Sequence, residues 1–184
     1  MSIMSATLPT TNRRAFWAAT FIAASIIFSF GWACALPFAG FAAVAALTTA
    51  RREALLLTAA VWFANQVVGF LFLHYPTDAM TLFWGGALGV IALLSCESSG
   101  LLARRFPGVA GGFAAFLASF VVYETLVLAV TAVTGPGVDH FTAPVVTRIF
   151  LINLSAFVAL LMLKAAGAAV ANRDVTKALA SRPI

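Results

Sequence analysis

The chain holds two histidines, each close to an acid in a short polar stretch. One stretch is His74-Tyr75-Pro76-Thr77-Asp78 and the other ends Val138-Asp139-His140. Imidazoles near carboxylates can hold a metal ion or pass a proton. Trp32 and Cys34 close the first long apolar run and add an indole and a thiol. The histidines lie on separate stretches far apart in the sequence, which is not a metal-ligand spacing, so no dedicated metal site is expected. Cys34 reads either as a soft ligand or thiolate, or as a small residue packed at a helix bend. The loop acids and histidines also have a plainer reading, because loops are where polar residues collect.

Other polar residues interrupt apolar runs. Arg148 lies inside the last run, and Glu124, beside Tyr123, lies inside the one before it. Polar groups within a membrane are costly unless paired or facing a cavity. Glu124 lies at a depth that could approach Arg148, and a pair would satisfy both charges, as a structural clamp or as the floor of a site for polar ligand groups. Asn65-Gln66 interrupts the third run, with Trp62 one turn earlier. Amides at that depth need partners, across helices or in a ligand, and Asn153 is a similar case. No H-E-x-x-H, G-x-S-x-G or P-loop occurs, so no catalytic residue is assigned and no enzyme is expected.

Composition dictates the elements that position these groups. Of 184 residues, 62% are hydrophobic and 9% charged, with mean hydropathy +1.03. A soluble domain carries about 25% charged residues. The length suits about six helices of ~20 residues joined by tight loops. Every Lys and Arg except Arg148 falls where one topology puts it on a single side: Arg13-Arg14, Arg51-Arg52, Arg104-Arg105, then Lys164, Arg173, Lys177 and Arg182. Basic loops stay cytoplasmic, which gives an even number of crossings with both termini inside.

The expectation is one all-α, polytopic domain over 1–184, with helices at about 15–32, 35–50, 53–73, 79–97, 109–134 and 144–167. No charge occurs from 15 to 50. A single helix of that length would measure about 54 Å, so it must fold back, and Gly31, Pro37 and Gly40 mark where. The long apolar runs do not alternate, which disfavours a β-barrel. In this topology His74, Tyr75, Asp78, Asp139, His140, Trp32 and Cys34 gather at the outer end, with Arg148 about one turn below. That clustering suggests a pocket open to the outside. Cys34 and Cys96 lie near opposite faces, too far apart to bridge. The basic residues come in pairs at helix ends without a continuous patch, so they read as topology signals and anionic-lipid contacts, with no nucleic acid expected. Arg13-Arg14, the apolar run and Ala33-Cys34-Ala35 imitate a signal peptide, but the run exceeds a typical signal core and is expected to be retained.

Helix 1 carries Ala19-x-x-x-Ala23, a small-residue face that lets another helix approach closely. With this face, the bend after helix 1, the six helices and the polar outer loops, the chain resembles the substrate-binding S component of energy-coupling factor (ECF) vitamin transporters. Val61-Trp62-Phe63-Ala64-Asn65-Gln66-Val67-Val68-Gly69-Phe70, followed by His74-Tyr75-Pro76, is similar to the cobalamin-uptake branch. The resemblance implies a vitamin-binding uptake protein of the bacterial inner membrane, with cobalamin or a related corrinoid as substrate and no cofactor of its own. It implies that Ala19 and Ala23 dock a transmembrane coupling subunit driven by ATPases. Trp32, Tyr75 and Trp84 would give a large ligand apolar surface, while Asn65, Gln66, Arg148, His74 and His140 would offer hydrogen bonds. Cys34, Asp78, Glu124 and Asp139 complete the candidate set, and Cys34, His74 and His140 are the only candidates for a cobalt ligand. The nickel and cobalt branch begins Met-His, whereas this chain begins Met1-Ser2-Ile3, so metal-ion uptake is disfavoured.

Two rival readings come from the residues. A structural subunit of a larger membrane complex would use the Ala, Gly and Phe content for helix packing. A small intramembrane enzyme or self-sufficient transporter would converge Glu124, Arg148 and a histidine on one cavity.

Overall fold

The computed structural model describes residues 10–31, 36–135, 137–138 and 141–180. The described residues are helical, with no strand among them. In chain order they form α1 (Thr10–Gly31), α2 (Phe38–Thr48), α3 (Arg51–Val67, continued by a π-helical turn Val68–Phe72), α4 (Ala79–Arg105), α5 (Gly108–Thr134) and α6 (Ala143–Ala180). The segments Arg51–Phe72, Ala79–Arg105, Gly108–Thr134 and Ala143–Ala169 are long and apolar enough to cross a membrane. Large apolar side chains such as Phe63, Leu71, Val90, Val121 and Leu151 face outward, the inverse of a soluble protein's surface and what a lipid solvent favours.

Several boundaries depart from the sequence expectation. α4 runs on to Arg105 beyond the expected end near 97, because Ser98, Ser99 and Gly100 are tolerated within the helix and Phe106-Pro107 stops it. α6 continues to Ala180, beyond the expected end near 167. Its alanines are strong helix formers outside the membrane as well as within it.

The larger departure is α2. It has 11 residues, about 16 Å of helix, which cannot cross a ~30 Å hydrocarbon core alone. Phe38 to Ala45 are all buried, and α3, α4, α5 and α6 pack around them. A helix apolar on every side belongs inside a protein. Its alanines and Gly40 let the surrounding helices come close. Pro37 precedes α2 and offers no side-chain cap, so the first N–H groups of the helix need partners from elsewhere. Asn153 of α6 supplies one: its Oδ1 accepts from the Gly40 N–H at 3.0 Å, while its Nδ2 donates to the Ile149 carbonyl at 3.0 Å. Ser119 of α5 donates to the Ala39 carbonyl at 2.9 Å. Phe116, on α5, packs at a tilt against Phe157 of α6, with 4.8 Å between ring centres.

Two contacts bring the basic helix ends together. Arg51 Nε donates to both carboxylate oxygens of Glu97, at 2.9 and 3.0 Å. Lys164 donates to the Thr48 carbonyl at 2.9 Å. The end of α2, the start of α3, the end of α4 and the Lys164 turn of α6 therefore share one end of the bundle. His74, Asp78, the end of α5 and the start of α6 lie at the other, as the charge pattern requires of antiparallel neighbours.

Candidate functional site

Trp32, Cys34, Asp139 and His140, four of the sequence-derived candidates, lie outside the described residues. The rest separate into two places, α3–α4 and α5–α6.

The first is the α3–α4 end away from the arginines. Trp62 is half-buried and donates through Nε1 to the Gly85 carbonyl at 2.8 Å. Its ring fills the space beside Gly89, where a Cβ would stand 2.7 Å from the indole. One turn on, the Gln66 Oε1 lies where a Cβ on Gly85 would be 2.7 Å away. Gln66 Nε2 reaches Asn65 Oδ1 at a long 3.5 Å, and both amides are half-buried. Gly85-x-x-x-Gly89 is thus the groove that receives the Trp62–Gln66 face of α3. This motif was visible in the sequence and was missed there.

The π-turn carries the chain from these amides to the loop. It closes with the Leu73 N–H donating to the Val68 carbonyl at 3.0 Å. Tyr75 folds back so that its N–H meets the Gly69 carbonyl at 3.0 Å. Its ring covers Gly69 and meets Phe70 edge-on at 6.3 Å. His74 is exposed, with φ 54, and its Nδ1 lies 3.1 Å from the Phe72 carbonyl. That positive φ is rare for a residue bearing Cβ. Asp78 is the N-cap of α4: Oδ1 accepts from the N–H groups of Met80 and Thr81 at 2.9 and 3.1 Å, and Oδ2 accepts from the Thr81 hydroxyl at 2.7 Å. The Thr81 hydroxyl, then the backbone donors, hold this carboxyl below the usual carboxylate range. Trp84 is half-buried and meets Phe83 edge-on at 6.3 Å.

The second place is on α5 and α6. Arg148 is exposed and edges an open depression of about 440 Å³ with Pro144, Thr147, Leu151, Ile152 and Ser155. Glu124 is half-buried on α5. No ion pair joins Glu124 to Arg148 among the described residues. The depth argument fails on the helical rise: Glu124 lies about 15 Å below the end of α5, and Arg148 about 8 Å below the start of α6. Described residues also hold no group of three or more His, Cys, Asp and Glu able to bind a metal.

A more enclosed volume, about 390 Å³, opens at the basic end of the bundle. Arg51, Glu97, Arg104, Cys96 and Gly100 are among its lining residues. Sequence reasoning read these arginines as topology signals and anionic-lipid contacts, without a cavity beside them. The clue it passed over was glycine beside them, in Gly100 and in Arg104-Arg105-Phe106-Pro107-Gly108.

On α1, Ala19 and Ala23 are both exposed, in line with Ala15 and Ile27, while Phe21 and Ser25 on the opposite side are buried. Comparison with protein families, curated proteins and solved structures finds no match to this chain.

Proposed function

We propose that this chain is a membrane-embedded vitamin-binding uptake protein of the S-component kind, with a corrinoid as substrate class. In this reading it crosses the bacterial inner membrane six times with both termini in the cytoplasm. α1 makes the first crossing, and α2 belongs to the second. The observation that carries the reading is the face of α1: Ala15, Ala19, Ala23 and Ile27 look away from the bundle. The small residues of this face, Ala15, Ala19 and Ala23, suit a close helix–helix contact, which is what a coupling subunit needs. The α3–α4 end adds half-buried amides and aromatic rings, the mixed chemistry that a large amide-bearing ligand would use.

The test begins with the full chain purified in mild detergent from cells grown in rich medium. Ultraviolet–visible spectroscopy and mass spectrometry are expected to find a corrinoid near one per chain. Ala19→Trp with Ala23→Trp is expected to abolish uptake in cells while leaving ligand binding intact. Uptake that survives the double substitution removes the docking role. An empty protein that gains no thermal stability from a vitamin panel removes the binding role and favours a structural subunit.

A further inference from the structure

The cavity at the basic end is lined largely by small residues. Gly100 is helical, yet a Cβ added there would meet no atom within 4 Å, and the same holds at Gly108. On α4, Gly85 and Gly89 let a neighbour in, whereas Gly86 and Gly100 leave space, and of these Gly100 lies in the cavity wall. Alanines at 46, 50, 54 and 103 continue the small-residue wall. The volume of about 390 Å³ falls within the range of small-molecule sites.

Its electrostatics favour an anion. Glu97 is the acid in the wall, and Arg51 already engages it through Nε. Arg104 also lines the wall and forms no ion pair among the described residues. Arg52 and Arg105 add charge on the adjacent surface. Pro107 and Gly108 bring the start of the 27-residue α5 to the same wall, and Pro107 provides no side-chain cap for its first N–H groups. A helix start without a side-chain cap, beside a guanidinium that forms no ion pair among the described residues, attracts phosphate. The cavity opens where α4 meets α5, at the level at which a membrane protein's basic loops meet lipid headgroups.

We propose that this cavity binds the phosphate group of an anionic phospholipid, with Arg104 and the start of α5 holding the phosphate and the alanine–glycine wall receiving the adjoining glycerol. The inference needs only the basic end to lie at the membrane surface and is independent of the vitamin reading.

The full chain in mild non-ionic detergent tests it, with phosphatidylglycerol, phosphatidylcholine and millimolar glycerol phosphate as separate probes. Phosphatidylglycerol is expected to raise the melting temperature by several degrees and to be retained in native mass spectrometry, with phosphatidylcholine doing neither. Arg104→Gln, an exposed change, and Gly100→Leu, which fills the space, are each expected to remove most of that gain while melting near the parent temperature without lipid. A gain from glycerol phosphate that Arg104→Gln abolishes would keep the phosphate site but overturn lipid as its source. An equal phosphatidylglycerol gain in the parent and both variants, or none in the parent, would overturn the proposal.

Discussion

The two ends of the α3–α4 pair use glycine in opposite ways. Away from the arginines, Gly85 and Gly89 are occupied at once: Gln66 and Trp62 lie where their side chains would be. At the basic end, Gly100 on the same helix faces empty space. The same residue type makes a joint in one place and a cavity in the other. What separates them is the neighbour. A tryptophan and a glutamine one turn apart on α3 reach across to α4, whereas Ala50 and Ala54, at the basic end of the same helix, cannot. Residues that look chemical in a sequence therefore need not make a site: Trp62 is committed to the joint, and arginines first read as topology signals and lipid contacts edge the space.

Equivalent substitutions at the two glycines should have opposite outcomes. Gly89→Ala puts a methyl group 2.7 Å from an indole that is pinned by its own hydrogen bond. Either the ring or α4 must shift, at a cost of about 1–3 kcal/mol. Gly100→Ala meets nothing and gains helix propensity, up to about 1 kcal/mol. Melting temperatures in one detergent are expected to fall for the first and hold or rise for the second. Equal falls would mean that the basic-end space closes in the membrane.

A smaller change tests the joint itself. Trp62→Phe keeps an aromatic ring beside Gly89 but removes the donor to the Gly85 carbonyl. That carbonyl retains its place in the helix, so the expected loss is about 1 kcal/mol, read as a lower melting temperature with helicity unchanged. A loss as large as that of Gly89→Ala would mean that the hydrogen bond, rather than ring packing, sets the α3–α4 distance.

Much of this arrangement was legible in the sequence, for stated reasons. Hydropathy and the arginine pairs fixed the membrane class and put the basic junctions at one end, because both depend on composition along the chain. The depth of α2 was not legible. Phe38–Thr48 reads as an apolar helix whether it borders lipid or sits among four others, and Asn153 supplies its cap from 113 residues away. The proposed approach of Glu124 to Arg148 failed on depth, since the helical rise puts them at different distances from the linked ends of α5 and α6. Asn65 and Gln66 were correctly found as polar interruptions, but their neighbour Gly85 shows only in three dimensions. The cavity depends on what does not fill it, and the glycines beside the arginines were its one local sign in the sequence.

The smallest expected effect lies in the loop that leads into α4. Asp78 is ionised and held by Thr81 and Met80, with its folded-state pKa below the ordinary value. A depressed carboxylate pKa contributes stability that is fully present above the unfolded value, near 3.9, and is lost as pH falls through the folded one. Asp78→Asn keeps an acceptor for the first-turn N–H groups but removes the charge that favours a helix start. At neutral pH the first turn of α4 is expected to exchange its amides somewhat faster in the variant than in the parent. As pH falls below the carboxylate range, the parent should converge on the variant. A difference that stays constant across that range would show that the Asp78 contribution comes from its shape as a cap and not from its charge.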